Sequence, residues 1–329
     1  MLISKTPYRV SFAGGGTDLP HWASKYGGAV ISTTIDKFCY ITCKKLPSFY
    51  DYKYHFGYSA TEHVEHIHQI KHPGIRGVFQ TVPEQKTGMS ILHDGDLPAR
   101  SGLGSSSSFI VGLLNVVYAL MGRRLSNLEL AREAIYIEQK INKEGGGSQD
   151  QVAASFGGLN KIVFHKDGTF DVHKIQLKKE KIACLNDQLI LFYTGVQRHS
   201  SLVEKSKLID WEKRHDKYLG LLELVTELEK TMLSSTFQPE DLGKFLDHGW
   251  RLKKELSDQV SHSKLDEVYE AAKMAGAIGG KLLGAGGGGF FLFCVKPGMR
   301  NELKKSLSGL KAVDFQFCNE GSSIFNLNN

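Results

Sequence analysis

The run Leu97-Pro98-Ala99-Arg100-Ser101-Gly102-Leu103-Gly104-Ser105-Ser106-Ser107-Ser108 passes straight into the apolar stretch Phe109-Ile110-Val111-Gly112-Leu113-Leu114. Proline sets the entry, two glycines permit a tight turn, and four consecutive hydroxyls fall where a helix is predicted to begin. The first turn of a helix carries unpaired backbone N–H groups and the positive end of the helix dipole, which together make an anion site. The hydroxyls add donors for phosphate oxygens, or oxygen ligands for a hard cation such as Mg²⁺. A serine-rich linker has a similar composition but does not run into an apolar helix.

Two further glycine-rich blocks flank this one, Arg9 to Asp18 and Lys281 to Gly289. The first ends in Gly14-Gly15-Gly16-Thr17-Asp18 and the second contains Gly284-Ala285-Gly286-Gly287-Gly288-Gly289. Backbone without Cβ atoms can approach a ligand closely and flex around it. The two common nucleotide loops do not fit. No GxxxxGK[ST] occurs, and Gly102-x-Gly104-x-x-Ser107 lacks the third glycine of the dinucleotide motif. No strand–loop–helix unit opens the chain, so a dinucleotide fold is not expected.

The elements that hold these loops are legible in outline. Tyr8–Phe12 alternates as a strand, and Ala29–Lys44 is rich in the β-branched and aromatic residues of strands. Ser48–Gly77 has no clear periodicity, and Met89–His93 reads as a short strand before the serine loop. Ser126-Asn127-Leu128-Glu129 is a capping box for a helix with Leu130, Ala134, Ile137 and Ile141 on one stripe, which stops at Gly145-Gly146-Gly147. Strand-like pieces follow at Lys161–Phe164 and Gln188–Tyr193. From Leu202 to Ala275 the period is helical, with Leu221, Leu222, Val225 and Leu228 on one face. Phe290–Val295 reads as a strand, followed by a helix and a last strand near Val313–Phe317. Strands and helices mixed without regular βαβ alternation predict an α+β fold. The turn His165-Lys166-Asp167-Gly168 and the charged run Lys178-Lys179-Glu180-Lys181 suggest a boundary, giving domains of residues 1–175 and 176–329.

At 329 residues the chain is long enough for two domains. Its net charge of +6 is dispersed, which suits anionic small molecules and not nucleic acid. Cys39, Cys43, Cys184, Cys294 and Cys318 form no CxxC pair and read as reduced thiols. Met1–Pro7 lacks a secretory apolar region and Phe109–Met121 is too short to span a bilayer, so a cytoplasmic protein with no membrane partner is expected. His63 and His66 could share a helix face, but without HExxH spacing a solvated polar segment is the expected reading.

The three glycine blocks, in this order and at these distances, resemble those of the GHMP small-molecule kinases. The matching motifs are the N-terminal strand and turn, P-x-x-x-G-L-G-S-S-x-x at Pro98–Ser108, and L-L-G-A-G-G-G-G-F at Leu282–Phe290. Pro7–Pro20 and Gly104–Phe109 are most similar to the branch that phosphorylates the anomeric hydroxyl of D-glycero-D-manno-heptose 7-phosphate, on the route to GDP-heptose for surface polysaccharides. The resemblance implies a ribosomal protein S5 domain 2-like N-terminal domain and a ferredoxin-like C-terminal one, with the active site in the cleft between them. It also implies ATP and Mg²⁺ as cofactors and a sugar phosphate as acceptor. Oligomeric state has no signature here.

The same resemblance assigns roles. Backbone amides of Ser101, Gly102, Leu103, Gly104, Ser105, Ser106, Ser107 and Ser108 wrap the β- and γ-phosphates of ATP. Ser106 and Glu138 hold Mg²⁺; Glu138 lies about 80° around its helix from the apolar stripe, where a surface ion pair is the plainer expectation. Asp150 is the catalytic carboxylate, orienting or deprotonating the acceptor hydroxyl, although an aspartate there could equally cap the helix that follows. Arg9 pairs with Asp150 and the transferring phosphoryl group, a task that suits a guanidinium. Asp18, with Gly14, Gly15, Gly16 and Thr17, meets the sugar hydroxyls, and Gly284 to Gly289 form a third wall, with Gly286 and Gly287 on the substrate. The residues alone, and not the resemblance, offer Arg198, Lys281 and Arg76 or His72 for the acceptor's own phosphate, and nothing in the sequence ranks them. Galactokinases carry G-E-H-T-D where this chain has Gly14-Gly15-Gly16-Thr17-Asp18, a loss of side chains that makes room for a bulkier sugar. A sister kinase acting on fucose or galactose is the first rival. The second is a catalytically silent sensor of the same fold, which the presence of Arg9, Ser106, Glu138 and Asp150 disfavours.

Overall fold

β1 (Leu2–Ala13) runs antiparallel along β2 (Gly28–Leu46), and the triple-glycine turn and α1 (Pro20–Tyr26) join them. The hairpin β3 (Tyr54–Gly57) and β4 (Thr61–Val64) comes next, then α2 (Pro73–Thr81) and β5 (Gly88–Gly95). α3 (Ser105–Leu120), α4 (Asn127–Tyr136) and α5 (Gln149–Phe156) lead to a second hairpin, β6 (Leu159–Phe164) and β7 (Phe170–Lys174). α6 (Lys179–Gln188) and β8 (Leu189–Tyr193) are followed by four helices: α7 (Ser200–Leu208), α8 (His215–Leu233), α9 (Pro239–Lys254) and α10 (Ser263–Met274). The chain closes with β9 (Ala277–Leu282), β10 (Phe290–Val295), α11 (Arg300–Ser306), β11 (Lys311–Val313), β12 (Phe317–Cys318) and β13 (Ser323–Asn326). This structure is a computed structural model and describes residues 1–83, 87–99, 101–196, 200–209 and 211–327.

The strands form two sheets. The first has the order β13-β1-β2-β5-β3-β4, with β12 and β6 also on β2 and β7 on β6. β2 serves several partners because it is long: its first residues pair with β6 and its last with β5. The second sheet, β11-β8-β10-β9, is antiparallel throughout. With helices crossing from β8 to β9 and α11 between β10 and β11, it has the βαββαβ ferredoxin-like arrangement. The α+β architecture expected from the sequence is the one observed.

α3 is apolar almost all round because it packs on β1 and β2 on one side and on α2, α4 and α5 on the others. Gly112 allows the close approach: a Cβ there would stand 2.7 Å from Thr6 Oγ1 on β1. β10 is apolar at every position for a related reason. Phe290, Leu292 and Cys294 enter the large core, while Phe291, Phe293 and Val295 enter a second core with Trp250 and Tyr269. The serine loop is thereby set against two rigid strands.

Several boundaries differ from expectation. The division at residues 175 and 176 is crossed by the end of the chain. β12 pairs with β2, and β13 with β1 (Leu2 opposite Asn326, Lys5 opposite Ser323), so the last residues belong to the first sheet. The charged run Lys178–Lys181 is no linker but the cap and first turn of α6. The capping box of Ser126 and Glu129 is present, but α4 passes at Ile137 into a π turn that ends at Ile141. All five cysteines are free. Among the described residues no helix is long and apolar enough to cross a membrane.

Candidate active site

The three glycine blocks meet. Gly102 and Gly284 are in backbone contact, since a Cβ on Gly284 would lie 2.5 Å from Gly102 Cα. The serine loop is tied on both flanks: Arg9 N donates to Leu103 O (3.1 Å) and Phe290 N to Ser101 O (3.1 Å). Gly104, left-handed at φ 76°, holds the cap position of α3 and, being glycine, puts no side chain over it. A Cβ on Gly104 would stand 3.2 Å from Asp150 Oδ2, so the anion-binding turn and the carboxylate are neighbours.

Arg9 and Asp150 form a two-pronged ion pair. Nε donates to Oδ1 at 2.7 Å and Nη2 to Oδ2 at 2.6 Å, and Nη1 reaches Gly102 O at 2.7 Å. Arg9 is 3 % exposed, whereas the Asp150 side chain is 24 % exposed and faces the opening. Asp150 is not a cap. Ser148 holds the cap position of α5 and Asp150 lies in the first turn, where its charge complements the helix dipole.

Asp18 is 4 % exposed and accepts from Gly16 N (3.0 Å) and Gln149 N (3.2 Å). Burial pushes its carboxyl above the usual range and nearby Asp150 adds to this, against the two amides. Gly147 must be glycine, because a Cβ would stand 1.9 Å from Asp18 Oδ2. Gly15 lies between Ser11 Oγ and Gln149 Nε2, and the buried Ser11 Oγ and Gln149 Oε1 have no hydrogen-bond partner within the protein. A hydroxylated ligand would satisfy both.

Not every expected contact belongs to this pocket. Thr17 Oγ1 is buried against Gly14 O and Ala29 O, so it pins the turn and does not face a ligand. Gly14 is needed for the same packing, with Ala29 O 2.0 Å from a Cβ position. Gly286 and Gly287 are buried against Val260, and the loop touches the serine loop through Gly284 and Gly289 instead. Arg198 lies outside the described residues. Arg76 is bonded to Ile70 O (2.8 Å), and His72 caps α2 and packs on Phe109. His63 is on β4, stacked on Tyr52. Among the described residues no three His, Cys, Asp or Glu side chains gather to hold a metal by themselves.

Glu138 is buried, not at the edge of a helix face. The π turn re-aims it, as such turns often do at functional positions. Its Oε2 accepts from Ser107 Oγ (3.1 Å) and Gln151 Nε2 (2.7 Å), whereas Oε1 is buried with no partner. Burial, helped by Glu144, pushes this carboxyl up to about 8. A carboxylate with one bare oxygen beside an anion loop fits a divalent cation that takes its other ligands from nucleotide phosphates and water. Ser106 is on the exposed side of the turn, and the hydroxyl that meets Glu138 is that of Ser107. Ser108 Oγ is turned inward to Pro7 O (2.9 Å) and fastens α3 to β1.

Sequence reasoning missed Gln149, Gln151, Lys207 and Lys253 and named Lys281 only as one of four unranked candidates. All three lysines are buried here, Lys253 Nζ on Leu282 O and Gly284 O. The available signal was Lys253 on the apolar stripe of α9 with Leu242, Leu246 and Trp250.

Comparison with known proteins agrees with this geometry. Residues 70–158 match the GHMP kinases N terminal domain, and residues 232–308 match the GHMP kinases C terminal model. A D-glycero-alpha-D-manno-heptose 7-phosphate kinase of Campylobacter jejuni is 30% identical over 97% of each chain. The bifunctional fucokinase/GDP-fucose pyrophosphorylase of Arabidopsis thaliana is 26% identical over 95% of this chain and 32% of its own length. The crystal structure of a D-glycero-D-manno-heptose 1-phosphate kinase from Bacteroides thetaiotaomicron shares the fold, with a TM-score of 0.80 over 99% of both chains at 24% identity. The chain belongs to the GHMP kinase family. It is accordingly a phosphotransferase with an alcohol group as acceptor, of a family that uses ATP as donor.

Proposed function

We propose that this kinase transfers the γ-phosphoryl group of ATP to the anomeric hydroxyl of D-glycero-D-manno-heptose 7-phosphate, giving the 1,7-bisphosphate. The observation that carries the reading is the Arg9–Asp150 pair, held between the serine loop and the Asp18 turn. Phosphoryl transfer needs little covalent chemistry from the protein; it needs alignment and charge neutralisation. The amides of Ser101–Ser107 and the N-terminus of α3 bind the β- and γ-phosphates; the Ser108 amide, expected to join them, is taken by Gly104 O (2.9 Å) as the first bond of the helix. Ser106 and Glu138 hold Mg²⁺, which when bound neutralises phosphate charge. Arg9 faces the transferring group and fixes the Asp150 carboxylate. Asp150 accepts the hydrogen bond of the acceptor hydroxyl and aligns its oxygen for attack. Asp18, Ser11 and Gln149 take the neighbouring sugar hydroxyls.

The heptose assignment draws on the Campylobacter relative, matched over 97% of each chain, and on the missing side chain at Gly15, beside Ser11 and Gln149. A fucose- or galactose-type acceptor is the alternative, favoured by the Arabidopsis relative. The test is turnover of Mg·ATP with heptose 7-phosphate, unphosphorylated heptose, mannose 6-phosphate, fucose, galactose and mevalonate, with ³¹P NMR of the product. Selective turnover of heptose 7-phosphate with a new anomeric phosphate signal supports the proposal. Preference for a free sugar replaces the acceptor, and binding of ATP without turnover of any acceptor favours the sensor.

A further inference from the structure

Lysines from three different elements bridge the two flanking glycine blocks: two reach the Gly284 loop and the third reaches the strand before the Gly14 turn. Lys253, from α9, donates to Leu282 O (2.7 Å) and Gly284 O (2.6 Å). Lys207, from α7, donates to Ala285 O (2.7 Å). Lys281, from β9, donates to Phe12 O (3.3 Å), two residues before the triple-glycine turn. Each is 4–5 % exposed. A buried ammonium group is costly unless a carboxylate or several acceptors compensate it. Among the described residues no acid is paired with Lys253 or Lys281. The charged groups that act on them are Arg9 and Lys207, with Lys281 acting on Lys253 as well, and Asp150 is already occupied by Arg9.

We propose that Lys207, Lys253 and Lys281 form the pocket for the phosphate that the acceptor already carries, a site for a sugar phosphate monoester beside the reacting hydroxyl. This inference rests on the acceptor reading given above. An ammonium group has three N–H donors; Lys253 places two on backbone carbonyls and Lys281 places one, so donors remain for phosphate oxygens. The position also fits. Gly284 touches the serine loop and Phe12 leads into the Asp18 turn, so the cluster lies between the nucleotide and acceptor sides of the site. The phosphates of ATP have the serine-loop amides and the first turn of α3, whereas nothing in that set reaches a phosphate at the far end of the acceptor. Burial first, then Arg9 and Lys207, lowers Lys281 to about 7, and Lys253 is lowered as well. A bound dianion reverses that repulsion and draws protons onto the cluster.

The experiment compares kcat/KM for heptose 7-phosphate with that for unphosphorylated heptose, in the wild type and in Lys253→Met and Lys281→Met. Thermal melting checks that each variant folds. The wild type is expected to prefer the phosphorylated acceptor at least 100-fold, and each variant to bring that ratio down at least tenfold, mainly through KM. Calorimetric titration with heptose 7-phosphate gives a second readout: binding weakens at least tenfold in Lys281→Arg and Lys281→Met, with Met worse. A wild type indifferent to the phosphate overturns the acceptor reading and this pocket together. A wild type that prefers it, with variants losing both acceptors equally, overturns the pocket alone. If the methionine variants do not fold, Lys281→Arg decides, and an unchanged affinity in it overturns the pocket.

Discussion

Both carboxylate oxygens of Asp150 are held by Arg9, at 2.7 Å from Nε and 2.6 Å from Nη2, and the arginine is itself anchored to Gly102 O. In the proposed function the pair therefore couples the acceptor side of the site to the serine loop through one rigid guanidinium. An acceptor hydroxyl reaching Asp150 must share it with Arg9, which favours orientation of the hydroxyl over free proton abstraction.

Asp150→Asn keeps the shape and removes the charge. Its kcat is expected to fall roughly 10²–10⁴-fold, the span associated with a positioned acid–base group, while ATP affinity changes little. Because Arg9 and Asp150 act as a unit, Arg9→Ala with Asp150→Ala should cost no more than the worse single change. Additive losses in steady-state kinetics would show that the two residues act separately.

Glu138, the proposed Mg²⁺ ligand, is oriented by Ser107 and Gln151, neither of which needs to touch the metal. Removing such an orienting bond typically weakens metal binding or activity about 10–100-fold. Gln151→Met should therefore raise the Mg²⁺ concentration for half-maximal turnover by at least about tenfold, and EDTA should abolish turnover until Mg²⁺ is restored. Titrating Mg²⁺ at saturating ATP checks this. An unchanged requirement would make Glu138 a structural residue.

The contact between Gly102 and Gly284 gives a steric test. A Cβ on Gly284 meets Gly102 Cα at 2.5 Å, and the backbone there has φ +69°, unsuited to alanine. Gly284→Ala should separate the loops and lower kcat/KM at least about 100-fold, since displacements near 1 Å have that effect on aligned reactions. Gly309→Ala, with nothing within 4 Å, is the control and should stay within twofold of wild type by the same assay.

Much of this site is legible in the residues, because glycine blocks mark places where only backbone fits. Arg9, Asp18 and Asp150 could be named from their positions beside those blocks, and the structure brings all three together. The burial of Thr17, Gly286 and Gly287 is not announced in the same way, because the blocks do not reveal which residue faces the cleft and which is packed against Ala29 or Val260. The burial of Glu138 depends on a π turn that the i, i+3, i+4 stripe of its helix does not announce. The lysine cluster joins α7, α9 and β9, whose meeting is tertiary information, and the return of β12 and β13 to the first sheet is hidden in the same way.

Lys281 makes a prediction about stability that needs no substrate. Its ammonium titrates near 7 in the folded protein, lowered chiefly by burial and then by Arg9 and Lys207, against 10.5 when unperturbed. Between these values the unfolded chain binds the proton and the folded chain does not, so this group makes stability rise with pH from about 7 to about 10. Below 7 both states carry the proton and the penalty of the buried charge is present in full. Lys281→Met removes that penalty. The ligand-free variant should melt higher than wild type at pH 6 to 7, and the difference should shrink steadily towards pH 9. Taking the difference cancels other groups, such as the buried Tyr8 and Cys39, whose raised values act in the opposite sense at alkaline pH. Melting curves of the two proteins from pH 6 to 9 decide it, and parallel curves would mean that Lys281 keeps its proton throughout.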